Sequence, residues 1–172
     1  MSTYQCKWLL AIAWLLLAAS APASAQQVDG CDTAERRDPP RIIYECANGL
    51  VFEAEAAAQF DIQSSGGQPR PEAIRLEGDA VLIEVEPDSG SFQILTPHAI
   101  AAVRGTVYVV DVTADMTSVF VVRGQVEVSR LDGSDQVLLS AGDGVEVTDT
   151  TPLTVKQWPP EKVDRLLARF AR

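Results

Sequence analysis

Residues 102–109 read Ala-Val-Arg-Gly-Thr-Val-Tyr-Val, and residues 120–128 read Phe-Val-Val-Arg-Gly-Gln-Val-Glu-Val, a near copy. In both, Val-Arg-Gly is followed by valines at alternate positions, the period-two pattern of a strand. The pairs Val107/Val109, Val126/Val128 and Val145/Val147 recur every 19 residues, each behind a glycine-containing turn: Arg104-Gly105-Thr106, Arg123-Gly124-Gln125 and Gly142-Asp143-Gly144. A period near 20 in a β-rich chain is what stacked solenoid coils produce, each burying its valines on the next. An antiparallel sandwich of regular strands gives the same spacing, so both forms remain open. The expected fold class is all-β, a compact solenoid-like or sandwich-like stack of short strands.

Outward from this repeat, strands are expected at Ala80–Glu86, Ser91–Leu95, Thr106–Val112, Ser118–Val122, Gln125–Ser129, Gln136–Leu139 and Val145–Thr148. Each is rich in Val, Ile or Leu and bounded by Gly, Pro, Asp or Ser, a spacing that favours an all-β unit over βαβ units. Upstream, Arg41–Ala47 and Leu50–Ala56 flank Asn48-Gly49, a pair suited to a two-residue hairpin turn in which both positions take positive φ. Ser64–Pro71 breaks all periodicity and reads as a linker. Downstream, Val163, Leu166, Leu167 and Phe170 fall on one face of a short amphipathic helix, with Pro160 in its first turn and Arg165, Arg169 and Arg172 toward its negative end.

The first 25 residues differ from the rest. Lys7 precedes an apolar run of 12 residues, Trp8–Ala19, and Ala21-Pro22-Ala23-Ser24-Ala25 ends in a small-x-small pattern. This is the design of a cleaved secretory signal peptide; the run is short of the roughly 20 residues a spanning helix needs. Cys6 lies before the run, where lipoprotein acylation does not occur. The expected division is therefore 1–25 signal peptide, 26–72 N-terminal disulfide-tied segment and linker, 73–148 β domain, and 149–172 C-terminal tail with the amphipathic helix. No membrane span is expected after cleavage, and the location implied is the periplasm.

The formal net charge is −10, and removal of residues 1–25 takes one base, Lys7, and no acid, giving −11. Nucleic acid is disfavoured as a partner because phosphate binding needs clustered Lys and Arg. Cys31 and Cys46 remain after cleavage, and an even count in an exported chain reads as a disulfide. The rival reading, a metal site, would need carboxylates to complete it, because only one histidine is present. No metal or other cofactor is expected.

No catalytic set emerges. His98 is the only histidine, it has no G-x-S-x-G context, and it reads more simply as a turn residue. The pairs Glu53/Glu55, Glu84/Glu86 and Asp111/Asp115 have residue types used in glycoside hydrolysis, but alternation on strands also makes them a solvated face. Asp132-Gly133-Ser134-Asp135 is a tight turn without the pattern of a calcium loop. Arg104 and Arg123, each between Val and Gly, either form part of a binding edge or cap carbonyls at strand corners.

The succession Thr96-Pro97-His98, Val103-Arg104-Gly105-Thr106, the acidic turn Ala114-Asp115, Arg123-Gly124-Gln125-Val126-Glu127-Val128 and Leu139-Ser140-Ala141-Gly142-Asp143-Gly144 resembles the FecR domain family. The resemblance covers about Ala73 to Thr148 and leaves Gln26–Pro71 outside. It implies an all-β, solenoid-like periplasmic domain with a role in envelope signalling, and it transfers no catalytic residues. Only Met1–Lys7 precedes the apolar run, so the expectation is an exported single FecR-domain protein without the cytoplasmic sigma-binding segment of the best-known members. The expected activity is non-enzymatic: binding of an envelope protein partner through a surface that includes Thr96, Pro97, His98, Val103, Arg104, Gly105, Thr106, Arg123 and Gly124. The alternative is a cell-wall polysaccharide or peptidoglycan binding module, which would need exposed aromatic side chains.

Overall fold

The computed structural model describes residues 28, 30–64 and 69–172. The expected signal peptide with Cys6, and residues 65–68 of the expected linker, lie outside the described residues. The elements are β1 (Cys31–Arg37), β2 (Pro40–Cys46), β3 (Leu50–Glu55), β4 (Gln59–Gln63), β5 (Ala73–Val85), β6 (Phe92–Leu95), β7 (Ile100–Val103), β8 (Val107–Val112), β9 (Thr117–Arg123), β10 (Gln125–Ser129), β11 (Gln136–Ser140), β12 (Asp143–Val147), β13 (Lys156–Gln157) and α1 (Pro160–Ala168). Among the described residues no helix is long and apolar enough to cross a membrane.

The strands form one sheet curled into a half-barrel. The long strand β5 belongs to both of its halves. Residues up to Gly78 pair with β4 and β6, and from Asp79, which takes φ 62°, the strand pairs with β3 and β8. One half, here the covered half, runs β1-β2-β3-β5-β8-β9-β12-β13; the other, the open half, runs β4-β5-β6-β7-β10-β11. All pairings are antiparallel except β5 with β6. The main core lies between the halves, where Phe52, Ile83, Tyr108, Val110 and Val145 of one meet Ile74, Phe92, Ile94, Val126 and Leu139 of the other.

The 19-residue spacing has a different origin from stacked coils. Hairpins are laid alternately on the two halves: β6–β7 on the open half, β8–β9 on the covered half, β10–β11 on the open half, β12–β13 on the covered half. The valine pairs do not stack on each other. Val126, Val128, Val145 and Val147 point between the halves, whereas Val107 and Val109 point outward into a second apolar cluster with Ala80, Leu82, Phe120, Leu166 and Phe170. The chain takes one curled sheet whose two halves face each other across the core.

That second cluster exists because α1 lies on it. A helix of nine residues is below the length that is stable alone in water. Leu166 and Phe170 are 7 % and 1 % exposed, and burial of each side chain contributes about 1.5–3 kcal/mol. Trp158 extends the cover: one ring face stacks on Phe120 at 5.3 Å between centroids, and the Lys162 ammonium lies 3.3 Å from the ring centroid.

The N-terminal hairpin is part of the same sheet. β3 pairs with β5 over Leu50–Ala54, and Tyr44, Leu50, Phe52 and Ala54 belong to the main core. The expected division at residues 72 and 73 therefore runs through one continuous packing unit, a pairing that local periodicity does not reveal. Asn48 and Gly49 both take positive φ, 55° and 67°, as the turn reading requires. The ladder closes at Cys46 opposite Leu50, so the connection is a three-residue turn, not a two-residue one. The Cys31–Cys46 disulfide joins directly paired residues of β1 and β2; a loop of 15 residues is worth about 3 kcal/mol by the chain-entropy model.

Candidate functional site

Gly105, Gly124 and Gly142 are the points where the chain crosses between halves, and they take φ 64°, 87° and 87°. The two Val-Arg-Gly copies lean on each other there. A Cβ on Gly105 would stand 3.1 Å from the Pro87 Cα, and one on Gly124 would stand 2.9 Å from both the Gly105 carbonyl oxygen and Thr106 Oγ1. Thr106 is fully buried, and its hydroxyl lies 2.8 Å from the Gln125 carbonyl and 3.1 Å from that of Arg104. Its own carbonyl accepts from the Val85 N–H at 2.9 Å. Thr106 and close glycine packing, not the arginines, thus satisfy the corner. The Arg104 residue is exposed, and its guanidinium makes no hydrogen bond or ion pair among the described residues. Arg123, its side chain 62 % exposed, comes only within 3.5 Å of Glu84 Oε1.

Thr96-Pro97-His98-Ala99 forms the turn between β6 and β7. Thr96 Oγ1 accepts from the Ala99 N–H at 2.9 Å and from the Thr117 hydroxyl at 2.9 Å, and donates to the Ala99 carbonyl at 2.9 Å. His98 Nδ1 lies 3.1 Å from Thr117 Oγ1. With the Thr117 hydroxyl directed at Thr96, Thr117 Oγ1 faces His98 Nδ1 with its lone pairs. This donor chain ties the turn of the open half to β9 of the covered half. His98 is buried and Pro97 exposed.

The nine residues expected to form one surface therefore separate into two groups at opposite ends of β7. Thr96, Pro97 and His98 stand at its start; Arg104, Gly105, Thr106, Arg123 and Gly124 stand at its end. Val103, 5 % exposed, is buried at that end opposite Phe92 and Val126.

Three of the carboxylates weighed as acid–base pairs, Glu53, Glu55 and Asp111, serve the C-terminal helix and the residues after it. Glu55 accepts from Arg169 Nε at 2.8 Å and Nη2 at 2.5 Å, and from the Ala80 N–H at 3.0 Å. Asp111 accepts from Arg169 Nη1 at 2.8 Å. Glu53, 4 % exposed, accepts from Arg41 Nε at 2.8 Å and Arg172 Nη2 at 2.8 Å. The hydrogen bonds Arg169 donates to Glu55 outweigh desolvation and, with the one to Asp111, push its pKa up. Arg169 and Arg172, which sequence reasoning assigns to the helix dipole, pin the tail to β3 and β8. Nothing in one sequence signals that pairing, because the partners lie 114 and 119 residues away.

Arg70 is a second residue the sequence reading missed. It falls in the stretch read as linker, yet it is 7 % exposed and donates from Nη2 to the Ser89 carbonyl at 2.8 Å, with the Phe92 ring 5.9 Å from its guanidinium carbon. Burial pushes its pKa down. Its partners are backbone carbonyls, so it fastens the 86–91 turn to the start of β5.

Every aromatic ring among the described residues is occupied. Tyr44 and Phe52 stack at 4.4 Å with Phe60 edge-on to both; Phe92, Tyr108, Phe120 and Phe170 are buried; Trp158 is stacked on Phe120 and has the Lys162 ammonium against its ring. The outer face of the open half carries Gln59, Asp61, Arg75, Gln93, Gln125, Glu127 and Gln136, all exposed.

Residues 44–127 match the family model described as FecR protein. The match begins at Tyr44 in β2, inside the segment expected to lie outside the domain, because that hairpin is built into the sheet; it stops short of Leu139–Gly144. No curated protein matches the chain. Among solved structures, a candidate anti-sigma factor from Parabacteroides distasonis ATCC 8503 is similar with a TM-score of 0.56 and 19 % identity, over 81 % of this chain and 61 % of that one. A second crystal structure with the same description gives a TM-score of 0.49 and 17 % identity over the same shares. The chain thus spans about three fifths of the neighbour's length, and the likeness shows a common fold. The chain carries a FecR domain, matched over residues 44–127.

Proposed function

We propose that the protein is an exported, non-enzymatic FecR-type module that works by binding a partner protein in envelope signalling or scaffolding. The FecR match over residues 44–127 carries this reading, and the fold neighbour described as a candidate anti-sigma factor supports a regulatory role. Export is supported by the signal-peptide pattern of residues 1–25 and by the Cys31–Cys46 disulfide, which suits an oxidising compartment such as the periplasm. The engagement of Glu53, Glu55 and Asp111 with arginines argues against acid–base chemistry at those carboxylates. Polysaccharide binding usually rests on exposed rings, and the rings described here are buried or stacked.

Affinity capture from periplasmic and outer-membrane extracts, with the full chain expressed in an exporting host as bait, tests the reading. One dominant envelope protein retained through washing is the expected result. Recovery of wall fragments without a specific protein would overturn it and favour the polysaccharide module. Turnover of a polysaccharide by the purified chain would overturn the non-enzymatic part.

A further inference from the structure

Four strands have one side without a strand neighbour among the described residues: β1 and β13 in the covered half, β4 and β11 in the open half. Natural sheets guard such edges with charge, proline, bulges or short length. β1 carries Asp32, Glu35, Arg36 and Arg37. β13 has two residues and runs into Pro159-Pro160. β4 has Asp61 and an irregular register at Gln59/Phe60. β11 reads Gln-Val-Leu-Leu-Ser, with no charge, proline or bulge.

The alternation of the β10–β11 ladder shows which groups face outward. The Arg130 N–H donates to the Asp135 carbonyl at 3.0 Å, so Arg130/Asp135 is a hydrogen-bonded pair and every second pair after it, Val128/Val137 and Val126/Leu139, is another. The N–H and C=O groups of Gln136, Leu138 and Ser140 then point away from β10. Asp143 accepts from the Ser140 N–H at 2.8 Å; those of Gln136 and Leu138 have no partner among the described residues. At the same place the Leu138 side chain is 57 % exposed, an apolar group opposite Glu127 and flanked along the strand by Gln136 and Ser140.

Carboxylates outnumber bases around this edge, where Arg130 is the one base beside four acids. Glu127 stands directly opposite Leu138 and is exposed, Asp132 and Asp135 stand at one end, and Asp143 at the other. Arg130 spends its guanidinium on the carbonyls of Thr148 and Thr151. A second copy paired about Leu138 would set its Asp143 opposite Gly133, beside Asp132, in chains that each carry a net charge of −10. Like charges so placed oppose self-association.

We propose that β11 is a docking edge for an extended basic segment of the partner protein. The segment adds as a strand to Gln136 and Leu138, lays an aliphatic side chain along Leu138, and sets Lys or Arg against Glu127 and the flanking aspartates. This rests on the protein-binding reading above and names the chemistry of its partner.

The test uses the full chain with a short alternating Lys-Val peptide, its Glu-Val counterpart, and the variants Leu138→Pro and Leu138→Lys. Leu138→Pro removes an N–H that β10 does not use, and Leu138→Lys adds a guard charge. Saturable binding of the Lys-Val peptide alone is expected, with about tenfold weaker binding or worse in each variant and an unchanged Tm in Leu138→Lys. Failure of the Lys-Val peptide to bind, equal binding of the Glu-Val peptide, or undiminished binding by Leu138→Lys would overturn the proposal. So would concentration-dependent dimerisation that Leu138→Lys abolishes. Capture of an envelope protein equally by wild type and Leu138→Lys would overturn the edge while leaving the protein-binding reading standing; capture of none would remove that reading itself.

Discussion

On the covered half, the outward residues Ala80, Leu82, Val107, Val109 and Phe120 lie under α1 and Trp158; on the open half, the outward residues of β6, β10 and β11 are Gln93, Leu95, Gln125, Glu127, Ser129, Gln136, Leu138 and Ser140, with no element packed over them among the described residues. The two Val-Arg-Gly copies lead into one strand of each kind. β8, Val-Tyr-Val-Val-Asp-Val, is buried on both faces and reads as an almost continuous apolar run. β10, Gln-Val-Glu-Val-Ser, is buried on one face and alternates. One corner motif therefore serves two environments, and the residues after it record which side of each strand meets solvent.

The largest contrast should come from truncating one residue on each face. Phe170→Ala should cost about 3–5 kcal/mol in urea unfolding, because it empties a buried site under the helix. Leu138→Ala should stay within about 0.5 kcal/mol. Equal losses would mean that both faces are covered in solution, and the contrast would fail.

Next in size are the corners. Gly124→Ala should cost about 1–3 kcal/mol, since φ 87° strains a side chain and its Cβ would press on Gly105 and Thr106. Gly133→Ala, at φ 69° with nothing within 4 Å, should cost about 1 kcal/mol. A smaller loss at Gly124 than at Gly133 would contradict mutual packing of the two corners.

The core between the faces holds one buried side-chain hydroxyl without a hydrogen-bond partner among the described residues, that of Tyr108. Burial pushes its pKa up from 10.0. The folded state keeps this proton where the unfolded state loses it, so the contribution is intact below pH 10.0 and falls by about 1.4 kcal/mol per pH unit above that value. Tyr108→Phe should leave stability unchanged or raise it by up to about 1 kcal/mol at neutral pH, and should flatten the alkaline decline. Destabilisation of about 2 kcal/mol or more would show that the hydroxyl is bonded. The smallest effect is expected for Arg104→Ala, within about 0.5 kcal/mol in stability; weaker capture of the partner by that variant would extend the binding surface to the corner.

Much of the covered half was legible. Apolar runs gave Thr106–Val112 and Ser118–Val122, within a residue or two of β8 and β9, and the i, i+3, i+4, i+7 spacing gave α1 and its buried face. β1, with Glu35, Arg36 and Arg37, was invisible because an edge strand joined by a disulfide need not be apolar. β7, Ile-Ala-Ala-Val, was too short and alanine-rich to read. The 19-residue period was real, but spacing alone does not distinguish a coil from hairpins laid on alternate halves. For the candidate surface, sequence reasoning found the glycine corners and the Thr96 turn. It could not see that β7 holds them apart, nor that Arg169 and Arg172 reach back to acids on β3 and β8.

Residue-resolved amide hydrogen exchange of the full chain tests the contrast between the halves most directly. The account predicts slow exchange across β8 and in the Val137 and Leu139 amides, with fast exchange at Gln136 and Leu138, an alternation that only an open edge produces. Protection of the Leu138 amide equal to that of Val137 and Leu139 would contradict it, because that edge would then already be occupied.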